Sequence, residues 1–145
     1  MSDSDHEDQC INEQGRLTRR ERQLWIIGAL LVAASIALGA FGAHAVKQRV
    51  SAQALGWWET AADYHRAHGL AVLAIAALWP RVSERFQRQL YRVVGGFVWG
   101  TVLFSGSLYL MTLTDVKALG AITPIGGTLW LIAWVLLAFG LTREH

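Results

Sequence analysis

"ETAADYHRAHGLAVLAIAALWP", residues 59–80, decides the fold, because its reading fixes whether the chain crosses a membrane three times or four. The stretch begins charged and histidine-bearing and ends as a plain apolar run. That run, Gly69 to Trp79, is eleven residues long. At about 1.5 Å per residue it reaches about 16 Å, half of a hydrocarbon core about 30 Å thick. A crossing here therefore has to draw the polar half into the membrane. With Trp79 at one interface, His68 falls near mid-depth, Asp63 about 24 Å in, and Glu59 about 30 Å in, at the far rim.

Outward from this stretch, three runs carry no charge: Leu24–Ala43, Val93–Thr114 and Ala118–Thr142. The 145-residue chain is 53% hydrophobic and only 17% charged, and apolar residues gathered in such runs point to a membrane protein. Ala43-His44-Ala45 resembles a signal-peptidase site, but the apolar core of a signal peptide is about 7–15 residues long, and the run before it is longer. The single cysteine, Cys10, excludes an internal disulfide and a thiolate metal cluster. Asp3, Asp5, Glu7, Asp8 and Glu13 make the N-terminus acidic, and Arg16, Arg19, Arg20 and Arg22 follow. Residues 1–22 are expected to form a disordered cytoplasmic tail, its arginines flanking the membrane rather than binding nucleic acid.

Positive charge chooses between three and four spans. With four, one side carries Arg16, Arg19, Arg20, Arg22, Arg81, Arg85, Arg88, Arg92 and Arg143, and the other carries Lys47, Arg49, Arg66 and Lys117. With three, the two arginine clusters would face opposite compartments. The expectation is an all-α integral membrane bundle of four transmembrane helices in residues 23–145, with spans at about 24–43, 61–79, 93–113 and 119–141, and both termini cytoplasmic. Trp25, Trp57, Trp58, Trp79 and Trp99 lie at or near the span ends and are expected to anchor at the interface.

Helical geometry sorts the polar residues of the opening stretch. Glu59, Asp63 and Arg66 share one face, with Asp63 and Arg66 an i, i+3 pair, while Tyr64 and His68 share another, with His65 beside them. An ionised group at this depth costs from about 2.5 kcal/mol upward, so these residues are expected to face the bundle interior or a wet cavity. Imidazole can stay neutral, which makes His68 the least costly to bury. Its expected partners are Ser105, Ser107, Tyr109 and Thr123, and His44 and Glu59 complete the set of candidate intramembrane polar residues. A zinc site from His44, His65, His68 and Glu59 matches no strong metal spacing. Gly96-x-x-x-Gly100 lets helices approach closely and is expected to serve packing within one bundle before a dimer. Pro124 marks the start of the last helix or a kink near it.

Four ordered blocks, "LGAFGAHAV" (38–46), "ETAADYHRAHGLAVL" (59–73), "FSGSLYLMTLT" (104–114) and "LGAITPIGGTLWLIAW" (119–134), resemble the YgdD-like family of small bacterial inner-membrane proteins, a domain of unknown function with animal relatives. The resemblance covers roughly residues 24–142 and leaves out the acidic tail. It implies a four-helix protein of the plasma membrane, with no established activity, cofactor or substrate. The family pattern includes Gly42-Ala43-His44, Glu59-Thr60-Ala61, Tyr64, His68, Gly106 to Tyr109 and Thr123 to Gly127, but not His65, and it has glycine where this chain has Ala133.

No Ser-His-Asp order, metal motif or phosphate loop stands out, so no enzyme activity, metal or cofactor is expected. The expected partners are the lipid bilayer and either a second copy of the chain or another membrane protein. The expected role is that of a small accessory or structural membrane protein of unknown biochemical activity. The alternative is a small-solute or ion transporter or channel, dimeric because four short helices enclose little volume, using the polar residues in the outer half of the second helix.

Overall fold

The computed structural model describes residues 17–143, which form four α-helices and, among the described residues, no strand. Helix α1 spans Arg19–Phe41 and runs on through a π-helical turn at Gly42–Val46. Helix α2 spans Ala52–Leu78, α3 spans Glu84–Thr114, and α4 spans Thr123–Leu141. Short 3-10 turns at Trp79–Arg81 and Lys117–Ala121 connect α2 to α3 and α3 to α4.

Capping explains why the helices outrun the uncharged stretches. The Thr18, Ser51 and Ser83 hydroxyls accept from the backbone N–H of Glu21, Ala54 and Phe86, so α1, α2 and α3 each begin in polar sequence. Arg19–Arg22 is consequently the first turn of α1 and not tail, while the acidic residues 3–13, Cys10 and Arg16 lie outside the described residues. Pro124 sits in the first turn of α4, where its missing N–H costs nothing, and marks the helix start.

Three helical segments, Arg19–Val46, Glu84–Thr114 and Lys117–Leu141, are long and apolar enough to cross a membrane. Helix α2 has 27 residues, about 40 Å, but its polar residues from Glu59 to His68 keep it outside that set. Against the four-span expectation, three helical segments have the length and composition to cross, and α2 is not among them.

Glycines set the distances between helices. A methyl group at Gly28 would meet Leu73, and one at Gly69 would meet Leu31 and Val32, so α1 and α2 run antiparallel in close contact. At Gly126 it would lie 2.4 Å from the backbone nitrogen of Phe104 and 2.8 Å from the carbonyl of Gly100, which brings α4 against the α3 backbone. Gly96 and Gly100 face Ala133 and Trp130 of the same chain, so the small-residue pair is filled within the bundle, and Ala133 seats against Gly96.

The core falls into two clusters along the bundle. One joins Leu24, Val72, Ile75, Trp79, Phe86, Leu90, Val93 and Phe97, and the other joins Val46, Trp58, Ala61, Leu108, Tyr109 and Met111. Two tryptophans expected at the interface belong to these cores: Trp58 and Trp79 are each only 2% exposed. The Trp58 indole donates to the Leu38 carbonyl at 2.9 Å, and Gly42 leaves room for its ring. Trp25 and Trp99 are exposed on the outside of the bundle, Trp25 in the second turn of α1 and Trp99 at the middle of α3.

Candidate functional site

His68 lies between the two cores, where α2, α3 and α4 meet. Its ring is stacked on Trp130 at 3.8 Å between centroids and 8° between planes, with the edge of Phe97 at 5.3 Å. Tyr64, one turn earlier, stacks on Trp130 at 5.5 Å and contacts Phe104 at 5.1 Å. Both ring nitrogens of His68 have partners. An indole N–H can only donate, so the 3.3 Å contact from Trp134 Nε1 makes His68 Nε2 an acceptor. The proton then sits on Nδ1, which donates to the Tyr64 carbonyl at 2.8 Å. The network thus assigns one neutral tautomer. Trp130 is held in turn by its own N–H, which donates to the Phe97 carbonyl at 3.2 Å.

These partners are not the expected ones. Ser107 and Thr123 bond to each other at 2.8 Å and tie α3 to the start of α4. Ser105 and Tyr109 are buried, and their hydroxyls have no hydrogen-bond partner. Tyr109 packs on Trp58 at 4.6 Å and approaches His65 at 6.4 Å. His65 is 7% exposed and neither of its ring nitrogens has a partner. Serine, tyrosine and threonine were expected around His68 because they can hydrogen-bond, but the close approach of α4 at Gly126 brings tryptophans there instead.

The other candidates separate. His44 is exposed on the π-helical turn. Glu59, Asp63 and Arg66 face outward rather than inward, beside a cleft of about 330 Å³ whose opposite wall is Gly39, Gly42 and Ala43. Arg66 and Asp63 form the expected pair, at 3.4 Å. The inward face of α2 is filled by Trp58, Ala61, Ala62, His65, His68 and Gly69, which leaves the charged face no place inside. A second cleft, of about 420 Å³, opens beside Tyr64 and His68 between Phe104, Pro124, Thr128 and Trp134. Sequence reasoning missed Trp130 and Trp134. The available signal was their one-turn spacing on α4 immediately after Gly126-Gly127, which marks the face of closest approach.

An all-helical bundle with three membrane-length apolar segments and a buried aromatic-histidine centre is an integral membrane protein. Residues 38–127 match the model of a protein family of unknown function, DUF423. The chain is 41% identical over 116 residues to a UPF0382 membrane protein of Staphylococcus saprophyticus, covering 79% of this chain and 92% of the relative. It is 42% identical over 105 residues to a UPF0382 membrane protein of Haemophilus influenzae, covering 72% and 82%. It is 39% identical over 109 residues to the UPF0382 inner membrane protein YgdD of Escherichia coli, covering 74% and 80%. The chain belongs to this DUF423 family of membrane proteins. No solved structure matches it.

Proposed function

We propose that the chain is a four-span protein of the bacterial plasma membrane with both termini in the cytoplasm, and that it serves as a non-enzymatic accessory or structural protein acting through the outside of its bundle. The observation that carries this reading is His68, the polar ring expected at mid-depth. Both of its nitrogens are bound to protein groups and one face is stacked on Trp130, so the ring offers no free nitrogen to the cleft that it lines, which supports packing over solute binding.

Two contacts support a crossing by α2. Its contacts with α1 run antiparallel from Leu73 against Gly28 to Trp58 against Gly42, a length of about 21 Å. His68 also lies level with Trp130 and Trp134, which flank the middle of α4, itself of membrane length. The topology is tested by single cysteines at Gln48, Arg81 and Lys117 in a Cys10→Ser background, labelled in intact cells with a membrane-impermeant maleimide. Labelling of the first and third positions alone is expected. Labelling of Gln48 and Arg81 from the same side shows that α2 does not cross. The role of His68 is tested by His68→Ala in a strain with a scorable phenotype, with abundance measured alongside. Activity that falls in step with abundance is expected, and lost activity at normal abundance overturns the reading.

The transport alternative has its own observation. His65, Ser105 and Tyr109 carry buried polar atoms without hydrogen-bond partners, and Glu59, Asp63 and Arg66 present a charged face that a second copy would cover. It calls for a stable dimer in detergent.

A further inference from the structure

We propose that the cleft between the first turns of α3 and the last turn of α4 is a binding site for an anionic phospholipid. Arg85, Arg88 and Arg92 stand at i, i+3 and i+7 on one face of α3, and Arg143 follows the end of α4. All four line one cavity of about 590 Å³. Its remaining wall is Gln89, Leu136 and Phe139, so among the described residues it contains no carboxylate. Glu84, in the same turn as Arg85, does not line it, and the one ion pair among the described residues is the distant Arg66–Asp63. Four guanidinium groups sharing a cleft repel one another, and an anion placed between them offsets that repulsion.

The cleft is built rather than incidental. Gln89 donates to the Leu136 carbonyl at 2.6 Å, which joins α3 to α4 at its base. A methyl group at Gly140 would collide with the Phe86 ring, so this glycine permits the approach of the two helices there.

The apolar wall selects the occupant. Leu136 and Phe139 are 40% and 60% exposed, on a helix of membrane length, and they continue toward the exposed Ile132. A soluble phosphate gains nothing from these side chains. A phospholipid sets its phosphodiester among the guanidinium forks and lays an acyl chain along Leu136 and Phe139. General retention of positive charge on one side of a membrane does not account for the arrangement, because that bias accepts lysine as readily as arginine and needs no cleft. The site requires only α3 and α4 as spans, so it stands or falls separately from the crossing by α2.

The test is native mass spectrometry of the full chain in detergent, titrated with phosphatidylglycerol, phosphatidylcholine or inorganic phosphate. Tighter binding of phosphatidylglycerol than of either other probe is expected. R88Q/R92Q should weaken it about thirtyfold, taking each cation near a membrane surface at its usual contribution. R88K/R92K keeps the charge but loses the fork, and should weaken binding by a smaller factor. Leu136→Ser should weaken phosphatidylglycerol binding while the arginines remain. R19Q/R20Q removes the same charge elsewhere and should change nothing. Equal binding of the two lipids, phosphate binding as tight as the lipid, or an equal loss in R19Q/R20Q would overturn the proposal.

Discussion

His65 and His68 are three residues apart on one helix and are buried to nearly the same degree, 7% and 5% exposed. His68 has a partner for each nitrogen and a tryptophan against its face, while His65 has neither nitrogen bonded and its ring lies 6.4 Å from that of Tyr109 in a tilted arrangement. Burial alone therefore does not distinguish a histidine that stabilises the bundle from one that costs it. What distinguishes them is α4. Helix α4 approaches the face of α2 that carries His68 and brings two indoles, and no indole of α4 reaches His65. A buried imidazole without a partner loses about 1–3 kcal/mol of desolvation, whereas a satisfied one contributes about 1 kcal/mol per hydrogen bond.

The largest expected effect comes from breaking the contact that creates the difference. Gly126→Val places atoms against the backbone of Phe104 and Gly100, which cannot rotate away, so α4 must shift. A loss of about 3 kcal/mol or more is expected, read as unfolding at lower temperature in detergent. Adding His68→Ala to Gly126→Val should then cost much less than His68→Ala costs in the wild-type chain, because the tryptophans are already displaced. His68→Ala by itself opens a cavity under Trp130 and leaves Trp134 Nε1 unpaired, a loss of about 2–3 kcal/mol by the same measurement. Trp134→Phe keeps a ring but removes the donor to Nε2, and should cost about 1 kcal/mol. Tyr109→Phe removes a buried hydroxyl without a partner and should leave stability unchanged or raise it by up to about 1 kcal/mol.

Much of the fold was legible in the sequence because uncharged length and helical period are one-dimensional quantities. Uncharged length located α1, α3 and α4, and the helical period placed Tyr64 with His68 and Asp63 with Arg66 on separate faces of α2. The helix starts were less legible, since Thr18, Ser51 and Ser83 cap helices through polar sequence that reads as flanking loop. The surroundings of His68 were not legible. Which face of α4 meets α2 depends on Gly126 packing against α3, and hydrogen-bonding capacity favoured Ser105, Ser107 and Thr123 over two tryptophans. Of the two surroundings expected for Glu59, Asp63 and Arg66, the bundle interior and a cavity, the structure gives a cleft on the outside of the bundle. The interior was already taken, because Trp58, the histidines and small residues fill the face of α2 that packs inside.

The most direct test of a packing role for His68 is thermal unfolding of His68→Leu and His65→Leu, in the same detergent and beside the unsubstituted protein. Leucine fills much of the imidazole volume in both, so the difference isolates the hydrogen bonds and the stacking. His68→Leu is expected to unfold at a lower temperature than the unsubstituted protein, and His65→Leu at the same or a higher temperature. Unfolding of His68→Leu at the unsubstituted temperature, or a larger loss in His65→Leu, would contradict the account.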